Sequence, residues 1–68
     1  MLGERIKERR DQIGMTQHQL CIRTGLHQGY LSRIENNQIE PGFKTVKLIA
    51  KELDVSLDYL SSETAPAA

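Results

Sequence analysis

The chain has a single cysteine, Cys21, so no internal disulfide can form. It has no apolar run near the roughly 20 residues that a membrane span needs. Its first ten residues, MLGERIKERR, are too charged and too poor in apolar residues for an export signal. Together these absences lead us to expect a reducing, cytoplasmic setting with no membrane association. No stretch alternates apolar and polar residues, and the β-branched residues are scattered, so no strand is expected. Net charge is also missing: nine Lys and Arg balance nine Asp and Glu.

The parts of an enzyme are missing as well. There is no carboxylate pair with a cleft around it, no glycine-rich phosphate loop and no nucleophile beside a base. With 68 residues, one domain is the sensible count. A domain this small buries only about 60% of the surface that its unfolded chain exposes, so a water-excluding pocket is hard to build. No catalytic residue and no cofactor is therefore expected. His18 and Cys21 stand three apart on one segment and His27 is near in sequence, but a zinc site needs further ligands at proper spacing. Cys21 reads instead as a small buried core thiol, and no metal is expected.

What the chain does contain is helical spacing. Leu2, Ile6 and Ile13 share one face, with the stems of Arg9 and Arg10 between them, and Gly14 ends that helix. Thr16 and Gln19 form an S/T-x-x-E/Q capping box, with Met15 and Leu20 as its hydrophobic staple. Gly25 ends this second helix a few residues later. A third helix spans about 28–35, with Leu31 and Ile34 inward. His27 stands at its N-cap, where His caps poorly. Gly29 within it costs about 1 kcal/mol relative to Ala. Pro41 and Gly42 punctuate a loop. Phe43, Val46, Ile49, Ala50 and Leu53 then form the inward stripe of a fourth helix. Ser56 caps a fifth, on which Leu57 and Leu60 continue the apolar pattern. The expected fold is all-α, five compact helices over residues 1–61, with a disordered tail over 62–68.

The balanced charge is unevenly placed. Residues 1–33 carry +3 and residues 34–68 carry −3. A bipolar molecule can still present a positive face. The third helix also spends His27, Gln28, Ser32 and Arg33 on the side away from the core. Two short helices joined by a tight glycine turn form a helix-turn-helix, whose second helix enters the DNA major groove. There, Arg bonds bidentately to guanine and Gln to adenine.

The stretches LGERIKERRDQIGMTQHQL, TGLHQGYLSRIENNQIEP and TVKLIAKELDVSLDYL resemble the Xre family of helix-turn-helix regulators, which share the fold of the lambda and 434 phage repressors. The resemblance covers roughly residues 2–60. It implies sequence-specific binding of double-stranded DNA by a transcriptional regulator, a repressor acting as a homodimer on a pseudo-palindromic operator. Gln17 matches the family's glutamine that touches phosphate and braces the recognition helix. Gln28, Gly29, Ser32 and Arg33 match positions that face base edges. Asn36 and the start of the fourth helix, with Lys44, match backbone contacts. Arg10 and Glu35 match an ion pair between the first and third helices. Dimer contacts are expected around Val55, Leu57, Tyr59 and Leu60. His27 is either a groove contact or an exposed cap. Family members often carry Gly and a cation after the Glu-Asn pair, whereas this chain has Asn37-Gln38-Ile39-Glu40. That departure and the zero net charge keep a second class open: a protein-interaction module of the same fold with weak or no DNA binding.

Overall fold

The computed structural model describes residues 2–61. The tail expected over 62–68 lies outside them. Five helices follow in order: α1 (Leu2–Gln12), α2 (Gln17–Thr24), α3 (Gln28–Glu35), α4 (Phe43–Leu53) and α5 (Leu57–Ser61). Among the described residues there is no strand.

The helices stop for local reasons. Gly14 turns left-handed at φ +69. Its N–H donates to the Asp11 carbonyl at 3.2 Å, and the Met15 N–H donates to the Arg10 carbonyl at 2.8 Å. This is the Schellman pattern, which satisfies carbonyls that the last turn leaves orphaned. The pattern recurs twice with a non-glycine at its left-handed position. Asn37 (φ 58) ends α3, where the Gln38 N–H donates to Arg33, and Asp54 (φ 57) ends α4, where the Val55 N–H donates to Ala50. Asn and Asp tolerate this region better than other side-chain-bearing residues. At α2 both ends of the expected segment are present. The Thr16 hydroxyl accepts from the Gln19 N–H at 3.0 Å and the Gln19 side chain accepts from the Thr16 N–H at 2.8 Å. Gly25 closes the helix at φ 77.

Ile6, Leu20, Leu31, Ile34, Ile49, Leu53 and Leu60 are fully enclosed, with Cys21 and Ala50 beside them. Every helix contributes, so no helix buries its face without the others. α1 crosses the end of α3 at very close range. A Cβ added at Gly3 would stand 2.3 Å from the Glu35 carbonyl oxygen and 2.6 Å from that of Ile34. Asn37 then reaches back across 34 residues: its Oδ1 accepts from the Gly3 N–H at 3.0 Å and its Nδ2 donates to Glu4. The first turn of α1 is thus capped by the loop that follows α3. At the other end of α1, Arg9 Nε donates to the Leu53 carbonyl at 2.9 Å, a cation on the last turn of α4, where the helix dipole favours it.

Three expectations need correction. Ile13 is 40% exposed, because it follows the last turn of α1 and leads out of the core. Phe43 is 69% exposed. Its angle on α4 matches that of Ala50, seven residues on, but it occupies the first position of the helix, where no neighbouring element covers it. Leu60 is at 0% exposure in the core of the single chain, so it has no surface to offer a second copy. Val55, Leu57 and Tyr59 remain half-buried. Tyr59 also has contacts within the chain. Arg5 stacks on its ring at 5.3 Å, and its hydroxyl donates to Glu8 at 3.5 Å.

Candidate nucleic-acid interface

The turn between α2 and α3 sets their relative placement. Left-handed Gly25 directs the chain back, the Thr24 hydroxyl donates to the Leu20 carbonyl at 2.8 Å, and the same oxygen accepts from the Leu26 N–H at 3.3 Å. Leu20 and Cys21 of α2 and Leu31 and Ile34 of α3 face inward. The side chains turned away from them form the candidate surface.

On that surface, His27, Gln28, Gly29, Arg33, Asn36 and Lys44 are exposed, and Gln17 and Ser32 are half-buried. His27 has extended backbone at the N-cap of α3, and its side chain makes no cap hydrogen bond. Gly42, before α4, has no side chain to cap with. Both helices therefore direct uncapped N–H groups outward, an arrangement suited to anions. Gly29 has open space around it, with nothing within 4 Å of a Cβ built there. Tyr30 is half-buried and packs against the core.

Behind this surface lies an ordered chain of polar contacts. Arg10 Nε donates to Glu35 Oε2 at 2.8 Å, and Arg10 Nη2 donates to Glu35 Oε1 at 2.9 Å, a bidentate pair. Glu35 is 2% exposed and Arg10 is 9% exposed. Arg10 Nη1 also donates to the Met15 carbonyl at 2.9 Å. The hydrogen bond to Glu35 holds the Arg10 guanidinium above its ordinary pKa, against the opposing effect of burial. Such a pair, satisfied on both sides, fixes α1 to the end of α3. Gln17 Nε2 then donates to Glu35 Oε1 at 3.3 Å, and Gln28 Nε2 donates to Gln17 Oε1 at 3.4 Å. The contacts run from a buried charge on α1 to the first side chain of α3.

With this arrangement in view, the sequence can be compared with known proteins. The helix-turn-helix family model matches residues 6–60. The chain belongs to the helix-turn-helix family. SinR of Bacillus subtilis (strain 168), an HTH-type transcriptional regulator, is 36% identical over 64 residues, which is 93% of this chain and 58% of SinR. This helix-turn-helix chain thus spans 58% of the length of that curated relative. A solved structure of SinR, the master regulator for biofilm formation, in complex with DNA superposes with a TM-score of 0.86 at 33% identity, covering 91% of this chain and all of that one. The P22 c2 repressor in complex with a synthetic operator superposes with a TM-score of 0.82 at 32% identity, covering 88% and 91%. The five-helix architecture is therefore the repressor-type helix-turn-helix fold.

Gly3, Asn37 and Arg9 act through contacts between distant segments, which no local sequence pattern marks. Gly3 was legible only as one of five glycines, Asn37 only as a missing cation, and Arg9 only as a hydrophobic stem. Among the described residues, no group of three His, Cys, Asp or Glu lies close enough to hold a metal. No described helix is long and apolar enough to cross a membrane.

Proposed function

We propose that this chain binds double-stranded DNA sequence-specifically as a transcriptional regulator, a repressor acting in the cytoplasm as a homodimer on a pseudo-palindromic operator, with no enzymatic activity. One observation carries the proposal: the hydrogen-bonded series Glu35–Gln17–Gln28, which holds a polar side chain ready at the start of α3 although nothing in the protein's own core requires it. SinR and the P22 c2 repressor, whose folds this chain shares, were solved with DNA.

In this proposal α3 lies in the major groove. Gln28 reads an adenine, Ser32 lies one turn along the same face, and Gly29 lets the backbone approach the bases. Arg33 is five residues from Gln28, about 140° around the helix, so it serves a different base or the flanking phosphate. Gln17, Asn36, Lys44 and the N–H groups of α4 hold phosphates, and His27 adds a contact at the groove edge. The dimer forms through Val55, Leu57 and Tyr59, since one copy offers few phosphate contacts.

Binding of a randomised operator library tests these roles. Gln28→Ala should relax preference at one position of each half-site, a loss of about 1–3 kcal/mol in discrimination. Lys44→Ala should weaken operator and random DNA alike and reduce the salt slope by about one. Full wild-type preference in Gln28→Ala would remove α3 from the groove as described. The cation-free loop Asn37–Glu40 favours a second reading, a protein-interaction module. Gel shifts with genomic fragments at two salt concentrations separate the two, since the module retards none.

A further inference from the structure

Nothing inside the protein calls for glycine at position 29. Its backbone is not left-handed, unlike that of Gly14 and Gly25. A Cβ built on it meets nothing within 4 Å, whereas one on Gly3, the other helical glycine, would collide with two carbonyls. Glycine within a helix also costs stability relative to alanine. The free chain would therefore be better served by a side chain here.

The direction in which position 29 points is informative. Leu31, Ile34 and Glu35 mark the buried side of α3. At 100° per residue, Gly29 lies within about 15° of the direction opposite their middle, and Arg33 within about 30°. These two positions point most directly away from the core. Gln28 lies well to one side, against Gln17 of α2. Arg33 is exposed, and among the described residues its guanidinium has no ion pair or hydrogen bond. With α3 in the major groove as proposed above, the outward line faces the floor, where the base edges are, and phosphates line the walls.

Arg33 follows Gly29 by four residues, one turn and about 6 Å along the axis. Long side chains on a helix lean back toward its N-terminus, over the residue four before. For Arg33 that residue is Gly29, which has nothing to stand in the way. Leaning back also carries the guanidinium toward the N-terminal part of the helix, the part that meets base edges. A backbone close to the bases leaves a shallow gap, which an arginine fits only when it lies along the helix. We propose that Arg33 reads a guanine through the space over Gly29, so that the two residues form one reading unit. Arg33 makes the contact, its fork meeting O6 and N7 together, and Gly29 is its positioning residue. This rests on the placement of α3 in the groove and replaces the choice between base and phosphate for Arg33 by one base.

A double-mutant cycle tests the proposal. Wild type, Gly29→Ala, Arg33→Ala and the double variant are each used to select from a randomised operator library. Their affinities are then measured for the wild-type site with every base in turn. Wild-type sites should hold a G·C pair at a position separate from the pair that Gln28 reads. Arg33→Ala should lose about 5- to 150-fold of the preference for that guanine and keep the preference governed by Gln28. Gly29→Ala should lose preference at the same pair, although denaturant titration shows it folded and no less stable than wild type. The double variant should lose no more than Arg33→Ala alone. Full guanine preference in Gly29→Ala, or losses that simply add in the double variant, overturns the coupling. An Arg33→Ala variant that binds operator and random DNA equally weakly, with a reduced salt slope, makes Arg33 a phosphate contact and overturns the proposal while leaving DNA binding intact. Wild type that retards no DNA overturns the reading of the site, and this inference with it.

Discussion

Replacing Glu35 with alanine isolates the buried ion pair. The substitution removes both acceptors of the Arg10 guanidinium, at 2.8 and 2.9 Å, and leaves that charge with the Met15 carbonyl as its buried partner. Arg10 is only 9% exposed, so water can do little to compensate. Stranding one member of a buried pair costs about 3–5 kcal/mol. In a domain of this size, each kcal/mol lowers the melting temperature by about 4–8 °C, so a fall of at least about 12 °C is expected. A single core this small rarely supplies more than about 3–5 kcal/mol in total, so Glu35→Ala should lie near the edge of folding. Glu35→Gln keeps one acceptor and should melt in between. The double variant Arg10→Met, Glu35→Leu leaves no orphaned charge and should recover most of the lost stability, because apolar replacement of a whole buried pair is often neutral or better. Thermal melts of the four proteins by circular dichroism decide the matter. If Glu35→Ala melts within about 2 °C of wild type, the pair is not coupled and the reasoning fails.

Two glycines should respond oppositely to alanine. Gly3→Ala forces a methyl group against the Glu35 and Ile34 carbonyls and should cost about 1–3 kcal/mol, whereas Gly29→Ala enters open space inside a helix and should stabilise the free protein by about 1 kcal/mol in denaturant titration. Burial first, and the charge of Glu35 second, push the Cys21 thiol above its ordinary 9.0. The folded chain therefore keeps this proton where the unfolded chain loses it. Its contribution to stability is complete below pH 9.0 and declines as pH rises through the folded value, so melts between about pH 7 and about pH 10 should show an alkaline slope that Cys21→Ala flattens. Leu57→Glu or Tyr59→Glu should shift the chain toward monomer in sedimentation and weaken operator binding; if both stay dimeric, the interface lies elsewhere.

The local signals were the most legible in the sequence. The capping box at Thr16 and the stops at Gly14 and Gly25 act within a few residues, so their chemistry could be read directly. Periodicity fixed the phase of α4 but could not say which turns would be covered, and Phe43 shows the difference. Contacts that join distant parts of the chain left no local trace. Gly3 and Asn37 lie 34 residues apart, and neither segment looks unusual without the other. Arg10 and Glu35 were paired through the family resemblance, because a separation of 25 residues has no periodicity to exploit. In the candidate interface the residue types pointed to polar recognition, but the link through Gln17 could be drawn only once α2 and α3 were set side by side.

The series from Arg10 to Gln28 also has a direction. Glu35 is a carboxylate and can only accept, so Gln17 must turn its nitrogen inward and its oxygen toward Gln28. Gln28 answers with its own nitrogen, committing one of its two N–H bonds. What it has left for a ligand is one N–H and one carbonyl oxygen. In the major groove that pair matches adenine, which presents N7 to accept and N6 to donate; guanine presents two acceptors, O6 and N7, and would need two donors. A negative charge sealed in the interior thus orients an amide at the surface. In the proposed DNA complex this would suit Gln28 to adenine and disfavour guanine.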